Sequence, residues 1–162
     1  MNHPAPHIVA QLGNPALLRL PKTAFLCSRR YPARVVLRAY DWAIAQREAG
    51  RCVVSGFHSQ IEQDVLHYLL KGQQPVIVAL ARGLKKRVEP AFEAPLAEGR
   101  LLLVSPFEAT VQRVSEQTAL VRNRLMLSLA DEIVVAHATP GGRLNELLAE
   151  VAGTRPVRGL ES

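Results

Sequence analysis

The sequence predicts a doubly wound α/β domain, in which helices cover both faces of a mainly parallel sheet of about five strands. Apolar segments alternate with helical segments about five times along the chain. Several apolar segments are continuous rather than alternating with polar residues, which is typical of strands buried on both faces of a sheet. The chain has 162 residues, 48% of them hydrophobic, and this is enough for the core of one domain.

The first strand is predicted at residues 23–27, where the sequence Thr-Ala-Phe-Leu-Cys is short and mostly apolar. The segment 32–50 that follows is predicted as a helix, because Val36, Tyr40 and Ile44 recur at the four-residue spacing of one helix face. This strand and helix begin the alternation.

The second strand is predicted at residues 52–55. The helix after it carries an apolar face made of Ile61, Val65 and Leu69. Ser59 and Glu62 have the spacing of a capping box at the start of this helix, and Gly72 is expected to end it. The remaining elements are strands at 76–80, 101–104 and 133–135, a helical or irregular segment up to residue 98, a helix through Arg122 and Leu129, and a final helix at 144–151.

The composition predicts one basic domain with short extensions. Residues 1–22 are proline-rich and are expected to form an extended arm, residues 23–155 the domain, and residues 156–162 a tail. The formal net charge of +6 favours an anionic partner such as nucleic acid or a nucleotide. We expect no metal, because Cys27 and Cys52 lack metal-ligand spacing, and we expect no cofactor. The first residues lack the basic start and the long apolar segment that are typical of a signal peptide, and no apolar segment has the length of a membrane span. We therefore expect a cytoplasmic protein without a membrane partner.

Small and basic residues collect in the loops that follow the carboxyl ends of the predicted strands. Ligands of open parallel sheets bind at these ends. Backbone N–H groups at such turns and fixed guanidinium groups both hold anions. We therefore predict a phosphate-binding site. Its candidate residues are Ser28, Arg29, Ser55, Gly56, Arg82, Gly83, Arg122, Asn123, Arg124, Gly141 and Gly142.

Ordinary structural roles compete with this hypothesis. Arg122 and Arg124 are equally typical of ion pairs on a helix surface, and Ser55-Gly56 is also typical of a tight turn. The charged segment 85–87 is more typical of a solvated face than of a binding site. The two cysteines are expected to be inert thiols in apolar strands.

Taken together, the motifs resemble the Rossmann-like domain of the DNA-processing protein A (DprA/Smf) family. The resemblance covers residues 13–148, and Arg-Asn-Arg is its most specific motif. It is carried by Cys27-Ser28-Arg29, Val54-Ser55-Gly56, Leu80-Ala81-Arg82-Gly83-Leu84 and Arg122-Asn123-Arg124. It implies a domain that binds single-stranded DNA through a basic pocket, forms a homodimer and acts in DNA processing. By position, this expectation falls on Ser28, Arg29, Ser55, Gly56, Gly83, Arg122, Asn123 and Arg124.

A second resemblance leaves an enzymatic alternative open. Arg122, Met126 and Pro140-Gly141-Gly142, followed by Glu146, are similar to the LONELY GUY phosphoribohydrolases, which cleave nucleoside 5′-monophosphates. This resemblance implies that Arg122 and Glu146 are catalytic. A sensor that holds a nucleotide without turning it over is a third class. We favour a non-catalytic binding protein among the three.

The expectation common to both resemblances is that Arg29, Arg122 and Arg124 neutralise phosphates, while N–H groups near Gly56 and Gly142 add directed hydrogen bonds. Asn123 is expected to orient a loop or a sugar hydroxyl. Few aromatic side chains are available for base stacking, since only Phe57 and Phe107 lie near the site in sequence. We therefore expect recognition through the nucleic-acid backbone, with weak sequence dependence.

Overall fold

The computed structural model describes residues 5–161. The strands in this range are β1 (Ala10–Gly13), β2 (Lys22–Cys27), β3 (Cys52–Ser55), β4 (Val76–Ala79), β5 (Leu101–Ser105), β6 (Glu132–His137) and β7 (Val157–Gly159). The α-helices are α1 (Arg34–Ala49), α2 (Gln60–Leu70), α3 (Pro90–Ala97), α4 (Glu116–Leu129) and α5 (Arg143–Val151), and a 3-10 helix covers Pro15–Arg19. None of these helices combines the length and the apolar composition that crossing a bilayer requires.

The strands form one sheet in the order β1-β5-β4-β3-β2-β6-β7. Neighbours are parallel except β1, which pairs antiparallel with β5. From β2 the chain builds β3, β4 and β5 on one side, and then crosses to add β6 and β7 on the other. The carboxyl ends of β2 and β6 therefore mark the topological switch point, the place where open α/β sheets form a ligand crevice.

Two hydrophobic layers hold the sheet between helices, and this confirms the doubly wound α/β architecture. On one face, Phe25 and Val53 pack with residues of α1, α2 and α3, and the Phe25 ring stacks on Trp42 with centroids 4.8 Å apart. On the other face, Leu26 and Ile77 pack with residues of α4 and α5. Because both faces are covered, strands β2 to β5 are buried along their whole length. Burial on both faces explains the continuous apolar segments of the sequence.

All five predicted strands are present, with boundaries within two residues of those expected. The predicted arm and tail add two further strands at the opposite edges of the sheet, β1 next to β5 and β7 next to β6. Both are short, and most of their residues are exposed. These two strands bury little side-chain surface, so their sequences lack the apolar pattern that predicts a buried strand.

The start of α2 confirms the predicted capping box. The Ser59 hydroxyl accepts the N–H of Glu62 at 3.3 Å, and the Glu62 carboxylate accepts the N–H of Ser59 at 3.2 Å. Helix α2 ends at Leu70 with Lys71 as its C-cap, so Gly72 is the first residue after the cap, in agreement with the expected end. Gly72 also lies where a Cβ would collide with the Arg47 side chain.

Candidate phosphate-binding cleft

A cleft of about 850 Å³ opens at the switch point of the sheet. It is bounded by the loop after β2, the first residues of α2, one side of α4 and the first two turns of α5. Its apolar wall consists of Leu26, Ala119, Leu120, Leu144 and Leu147. The volume lies within the range of small-ligand sites, and apolar walls with a few directed polar groups are typical of such sites. The cleft therefore has room for one nucleotide unit.

Arg122 is the buried cation of this cleft. It lies on α4 with 6% of its surface exposed, and its Nε donates to Asn123 Oδ1 at 2.7 Å. Within residues 5–161, its two terminal nitrogens have no hydrogen-bond acceptor. Burial lowers the pKa of the Arg122 guanidinium, and the negative charge of Glu62 opposes this shift. Two terminal N–H groups without a partner in a cleft can form a forked contact with a phosphate or a carboxylate.

Gly56 makes the position of this guanidinium possible. A Cβ built on Gly56 would lie 2.7 Å from Arg122 Nε and would overlap the rest of the guanidinium. The φ angle of Gly56 is not in the left-handed region, so its backbone would accept another residue. Glycine is therefore required here by the close approach of Arg122 and not by the turn itself.

Glu62 is the buried carboxylate of the cleft, and its sequence position predicted only a capping role. Its side chain accepts three backbone N–H groups, from Cys27 at 3.0 Å, His58 at 2.9 Å and Ser59 at 3.2 Å. These bonds connect the end of β2 to the start of α2. The burial of Cys27 and the nearby Glu62 charge raise the pKa of its thiol to about 12, so this thiol stays protonated.

The backbone part of the predicted phosphate cradle needs correction. The N–H groups of His58 and Ser59 are used by Glu62, and the N–H of Phe57 donates to the Ser55 hydroxyl at 3.1 Å. The N–H of Gly142 is also used, since it donates to the Thr139 carbonyl at 2.9 Å. These groups are unavailable to an external anion because the chain's own acceptors occupy them.

Helix α5 offers a different backbone contribution. It begins at Arg143 after Gly142, and no side chain caps its N-terminus. Gly142, Arg143 and Leu144 all line the cleft. The N–H groups of a first helical turn carry partial positive charge and need acceptors. This helix end therefore adds positive potential to the cleft wall.

Arg124 has a different environment from Arg122, although both belong to the Arg-Asn-Arg motif. Its Nη2 and Nε donate to the two carboxylate oxygens of Glu150 on α5, at 2.9 and 3.2 Å. This hydrogen bonding raises the pKa of Arg124. A second ion pair joins Arg143 to Glu116 at 2.6 Å, also between α5 and α4. Both arginines line the cleft, but each is paired with a glutamate of the protein itself.

The loop after β2 supplies the remaining free cations. Arg29 and Arg30 are exposed, line the cleft, and form no ion pair with any residue that the structure describes. Ser28 fixes this loop against β6, because its N–H donates to the His137 carbonyl at 2.8 Å and its hydroxyl accepts the N–H of Thr139 at 3.0 Å. The role of Ser28 in this geometry is to hold two loops together.

The cleft brings together six of the eleven sequence-predicted residues, namely Ser28, Arg29, Arg122, Asn123, Arg124 and Gly142, and the alternative catalytic residue Glu146 also lines it. Gly56 contacts Arg122 from below, and Ser55 is fully buried beneath the turn. Gly141 forms the turn with a φ of 72° and does not line the cleft. Arg82 and Gly83 lie beyond the end of β4, away from the cleft.

Sequence reasoning missed Arg30, Glu116, Arg143 and Glu150 as cleft residues. Arg30 lies in an exposed turn, Glu116 and Arg143 begin helices, and Glu150 lies in the last turn of α5. None of these positions carries a hydrophobic pattern, so only the folded chain shows that they share the cleft. In the part of the chain that the structure covers, no group of three or more His, Cys, Asp or Glu side chains could hold a metal ion.

Comparison with known proteins gives one family and a set of similar folds. Residues 1–155 match the family model for DNA recombination-mediator protein A. The chain is similar in structure to DNA processing protein A from Streptococcus pneumoniae, with a TM-score of 0.70 and 22% identity over 92% of this chain and 53% of that one. The chain thus spans about half the length of that relative. No curated protein matches it in sequence.

A second similar structure is DNA processing protein A from Helicobacter pylori, described for its single-stranded DNA binding mode. The TM-score is 0.74 and the identity 19%, over 92% of this chain and 69% of that one. The fold is also similar to the molybdenum cofactor carrier protein of Chlamydomonas reinhardtii, with a TM-score of 0.51 and 13% identity over 87% of this chain and 76% of that one. At these identities the likeness establishes the Rossmann-like fold.

Proposed function

The chain belongs to the DNA recombination-mediator protein A family, and we propose that its cleft binds single-stranded DNA, with Arg122 as the central phosphate contact. The observation that carries this proposal is the state of Arg122. Its guanidinium is buried, lies against Gly56 and Asn123, and leaves two terminal nitrogens without a partner in the described chain. A guanidinium held in one position binds phosphate with less loss of side-chain entropy than a mobile one.

The neighbouring cations extend the contact along a strand. Arg29 and Arg30 are free at the mouth of the cleft, where they would meet the phosphates on either side of the one held by Arg122. The uncapped N-terminus of α5 adds backbone N–H groups. Arg124 contributes less, because Glu150 already neutralises it.

The apolar wall is the proposed contact for a sugar and a base. Leu120, Leu144 and Leu147 offer surface without directed polar groups, so contact with them would not distinguish one base from another. Phe57 is not available for stacking, since only 6% of it is exposed and it packs in the core. We therefore expect weak sequence dependence, as in other single-strand sites led by the backbone.

The proposal is tested by measuring the affinity of a fluorescent oligothymidylate for the wild type and two matched variants by anisotropy. Arg122→Ala is expected to weaken binding about 10- to 100-fold, which corresponds to the roughly 1.5–3 kcal/mol of a hydrogen bond to a charged group. Arg51→Ala removes the same charge from an exposed residue just before β3. This residue lies at the amino ends of the strands, whereas the cleft lies at their carboxyl ends. The Arg51→Ala substitution should change the affinity by much less.

The salt dependence gives an independent readout. Loss of one phosphate contact should lower the slope of log K against log salt by about 0.7 for a single strand. If Arg122→Ala and Arg51→Ala weaken binding equally, the cleft is not the binding site. If the wild type shows no salt-dependent binding, the proposed function is wrong.

One observation favours a second candidate function. Glu146 also lines the cleft and forms no ion pair within residues 5–161, so an unpaired carboxylate shares the cleft with Arg122. In a nucleoside 5′-monophosphate hydrolase, Arg122 would hold the phosphate while Glu146 assists the attack of water on C1′, releasing the free base and ribose 5-phosphate. Chromatography of a nucleotide panel tests this. Base release that is lost in Glu146→Gln would support it, and no release would exclude it.

A further inference from the structure

Arg143 is a cation at a helix end that attracts anions. It is the first residue of α5, and no side chain caps this helix. The N–H groups of Arg143, Leu144 and Asn145 have no hydrogen-bond acceptor among residues 5–161. A helix N-terminus carries partial positive charge, so a guanidinium at this position is disfavoured unless an anion lies beside it. The start of α5 therefore has two reasons to attract a negative charge.

Glu116 supplies this negative charge from within the protein. Its Oε2 lies 2.6 Å from Arg143 Nη1, and it belongs to the first turn of α4. Glu146, in the first turn of α5 itself, forms no ion pair with Arg143 in the part of the chain that the structure describes. Both Glu116 and Arg143 line the cleft. A carboxylate and a phosphate make the same kind of contact with a guanidinium, so the position of Glu116 also suits a phosphate.

The ion pair of Arg143 with Glu116 is exposed and can be exchanged for another. The two side chains are 72% and 68% exposed. The other ion pair between these helices, Arg124 with Glu150, is less exposed and uses two hydrogen bonds. Exposed ion pairs contribute little to stability, whereas a forked contact is stronger. A competing anion would displace Glu116 from Arg143 and leave α5 joined to α4 through the second pair.

Glu116 also has a favourable environment without Arg143. It is the first residue of α4, where the helix N-terminus stabilises a negative charge. Its carboxylate is not needed as a cap, because the side chains of Ser115 and Thr118 already accept N–H groups at this helix end at 2.8 and 3.1 Å. The displaced carboxylate would remain in water at the start of α4. Releasing Glu116 from Arg143 therefore leaves no buried charge without a partner.

We propose that Arg143 is a phosphate contact of the cleft, and that Glu116 occupies this contact until a DNA strand displaces the carboxylate. The inference rests on the proposed function of the cleft, because it adds a contact to the strand that Arg122 holds. The terminal nitrogens of Arg122 have no acceptor within residues 5–161, so Arg122 binds a phosphate without any displacement. At Arg143, binding exchanges one ion pair for another. Glu116 thus lowers the affinity for DNA without touching the strand.

The test is a double-mutant cycle of Glu116→Gln and Arg143→Gln. The affinity of each protein for the fluorescent oligothymidylate is measured by anisotropy as a function of salt, and circular dichroism checks the fold. Glu98→Gln is the matched control, because it changes the net charge by the same amount. Glu98 is an exposed carboxylate that pairs with Arg100 at 3.3 Å, and it lies at the amino ends of the strands, away from the cleft.

Glu116→Gln should tighten DNA binding about 3- to 5-fold, because the strand no longer has to break an exposed ion pair. It should also steepen the slope of log K against log salt by up to about 0.7, since no carboxylate is left to take up a cation when the phosphate replaces it. In the Arg143→Gln background, Glu116→Gln should change the affinity by about 2-fold at most, because no guanidinium is released. Glu98→Gln should leave the affinity close to that of the wild type.

Three results would overturn the inference. If Glu98→Gln tightens binding as much as Glu116→Gln does, only net charge matters. If Glu116→Gln tightens binding equally with and without Arg143, the carboxylate repels DNA in general and does not occupy the Arg143 contact. If Glu116→Gln leaves the affinity unchanged or weakens it, the ion pair does not compete with DNA. Absence of salt-dependent binding by the wild type is a different result, because it would refute the proposed function of the cleft and this inference with it.

Discussion

The contact between Gly56 and Arg122 predicts that Gly56→Ala destabilises the wild type and stabilises a protein that already carries Arg122→Ala. In the wild type, Gly56→Ala introduces a Cβ at 2.7 Å from Arg122 Nε, and the guanidinium has to move into the open cleft. In an Arg122→Ala background, the same Cβ meets no guanidinium. The four proteins form a double-mutant cycle that measures this contact.

The magnitude follows from two opposing terms. Displacing the guanidinium breaks its 2.7 Å hydrogen bond with Asn123, which costs about 1.5–3 kcal/mol for a charged donor. Replacing glycine by alanine at a φ that alanine accepts stabilises the fold by about 0.4–1 kcal/mol through the unfolded chain. We expect Gly56→Ala to destabilise the wild type by about 1–2 kcal/mol. In the Arg122→Ala background it should stabilise by about 0.5 kcal/mol.

Urea unfolding of the four proteins measures the coupling, which should be about 2 kcal/mol. Gly159→Ala serves as the control, because its φ is not in the left-handed region and the nearest atom to its Cβ is 3.9 Å away. It should have the same effect in both backgrounds. If Gly56→Ala has one sign and one size in both backgrounds, the guanidinium does not lie against Gly56, and the proposed positioning of Arg122 is refuted.

Three further predictions concern stability and reactivity. Glu62→Gln should lower the free energy of unfolding by about 3–5 kcal/mol, because a buried carboxylate loses its charge and one acceptor for three backbone N–H groups; a melting temperature within a degree of the wild type would contradict this. The hydrogen bond from His137 lowers the pKa of Glu161, so its stabilising effect should be complete above about pH 5 and fade as the pH falls below about 4. Urea unfolding of Glu161→Gln should therefore differ from the wild type at pH 7 and converge with it at low pH, and a constant difference would be inconsistent. Burial raises the pKa of Cys27 and Cys52 to about 12, so an alkylating reagent at pH 8 should modify them only after unfolding, which mass spectrometry detects.

Much of the fold could be predicted from the sequence because its central strands are buried on both faces. Segments such as 76–80 and 101–104 contain almost only Val, Ile, Leu and Ala, and they recur between helical segments. The order of strands and the two edge strands were not predictable in the same way. Strand β1 pairs through backbone hydrogen bonds with β5, some 90 residues away, and backbone pairing leaves no mark on side-chain patterns.

The residue types of the candidate site, and their place at the carboxyl ends of the strands, were predictable from the sequence. Which of these residues lie close together in space was less predictable. Arg82 was grouped with Arg29 because both follow strands. In the folded chain β4 and β2 are separated by β3, so these two residues belong to different parts of the edge. The backbone N–H groups were predictable as donors, but whether Glu62 or an external anion would use them depended on packing.

The sequence by itself determined that two arginines flank Asn123 on a helix next to a buried strand, and that the chain is basic enough to favour an anionic partner. Only the tertiary structure decided which arginine is free. Residues two positions apart on a helix point about 200° apart, so Arg122 and Arg124 have different neighbours. Packing of α4 against the sheet buries Arg122 over Gly56, while packing beside α5 pairs Arg124 with Glu150. Helical spacing fixes the angle between two side chains, but the surrounding elements decide what each side chain meets.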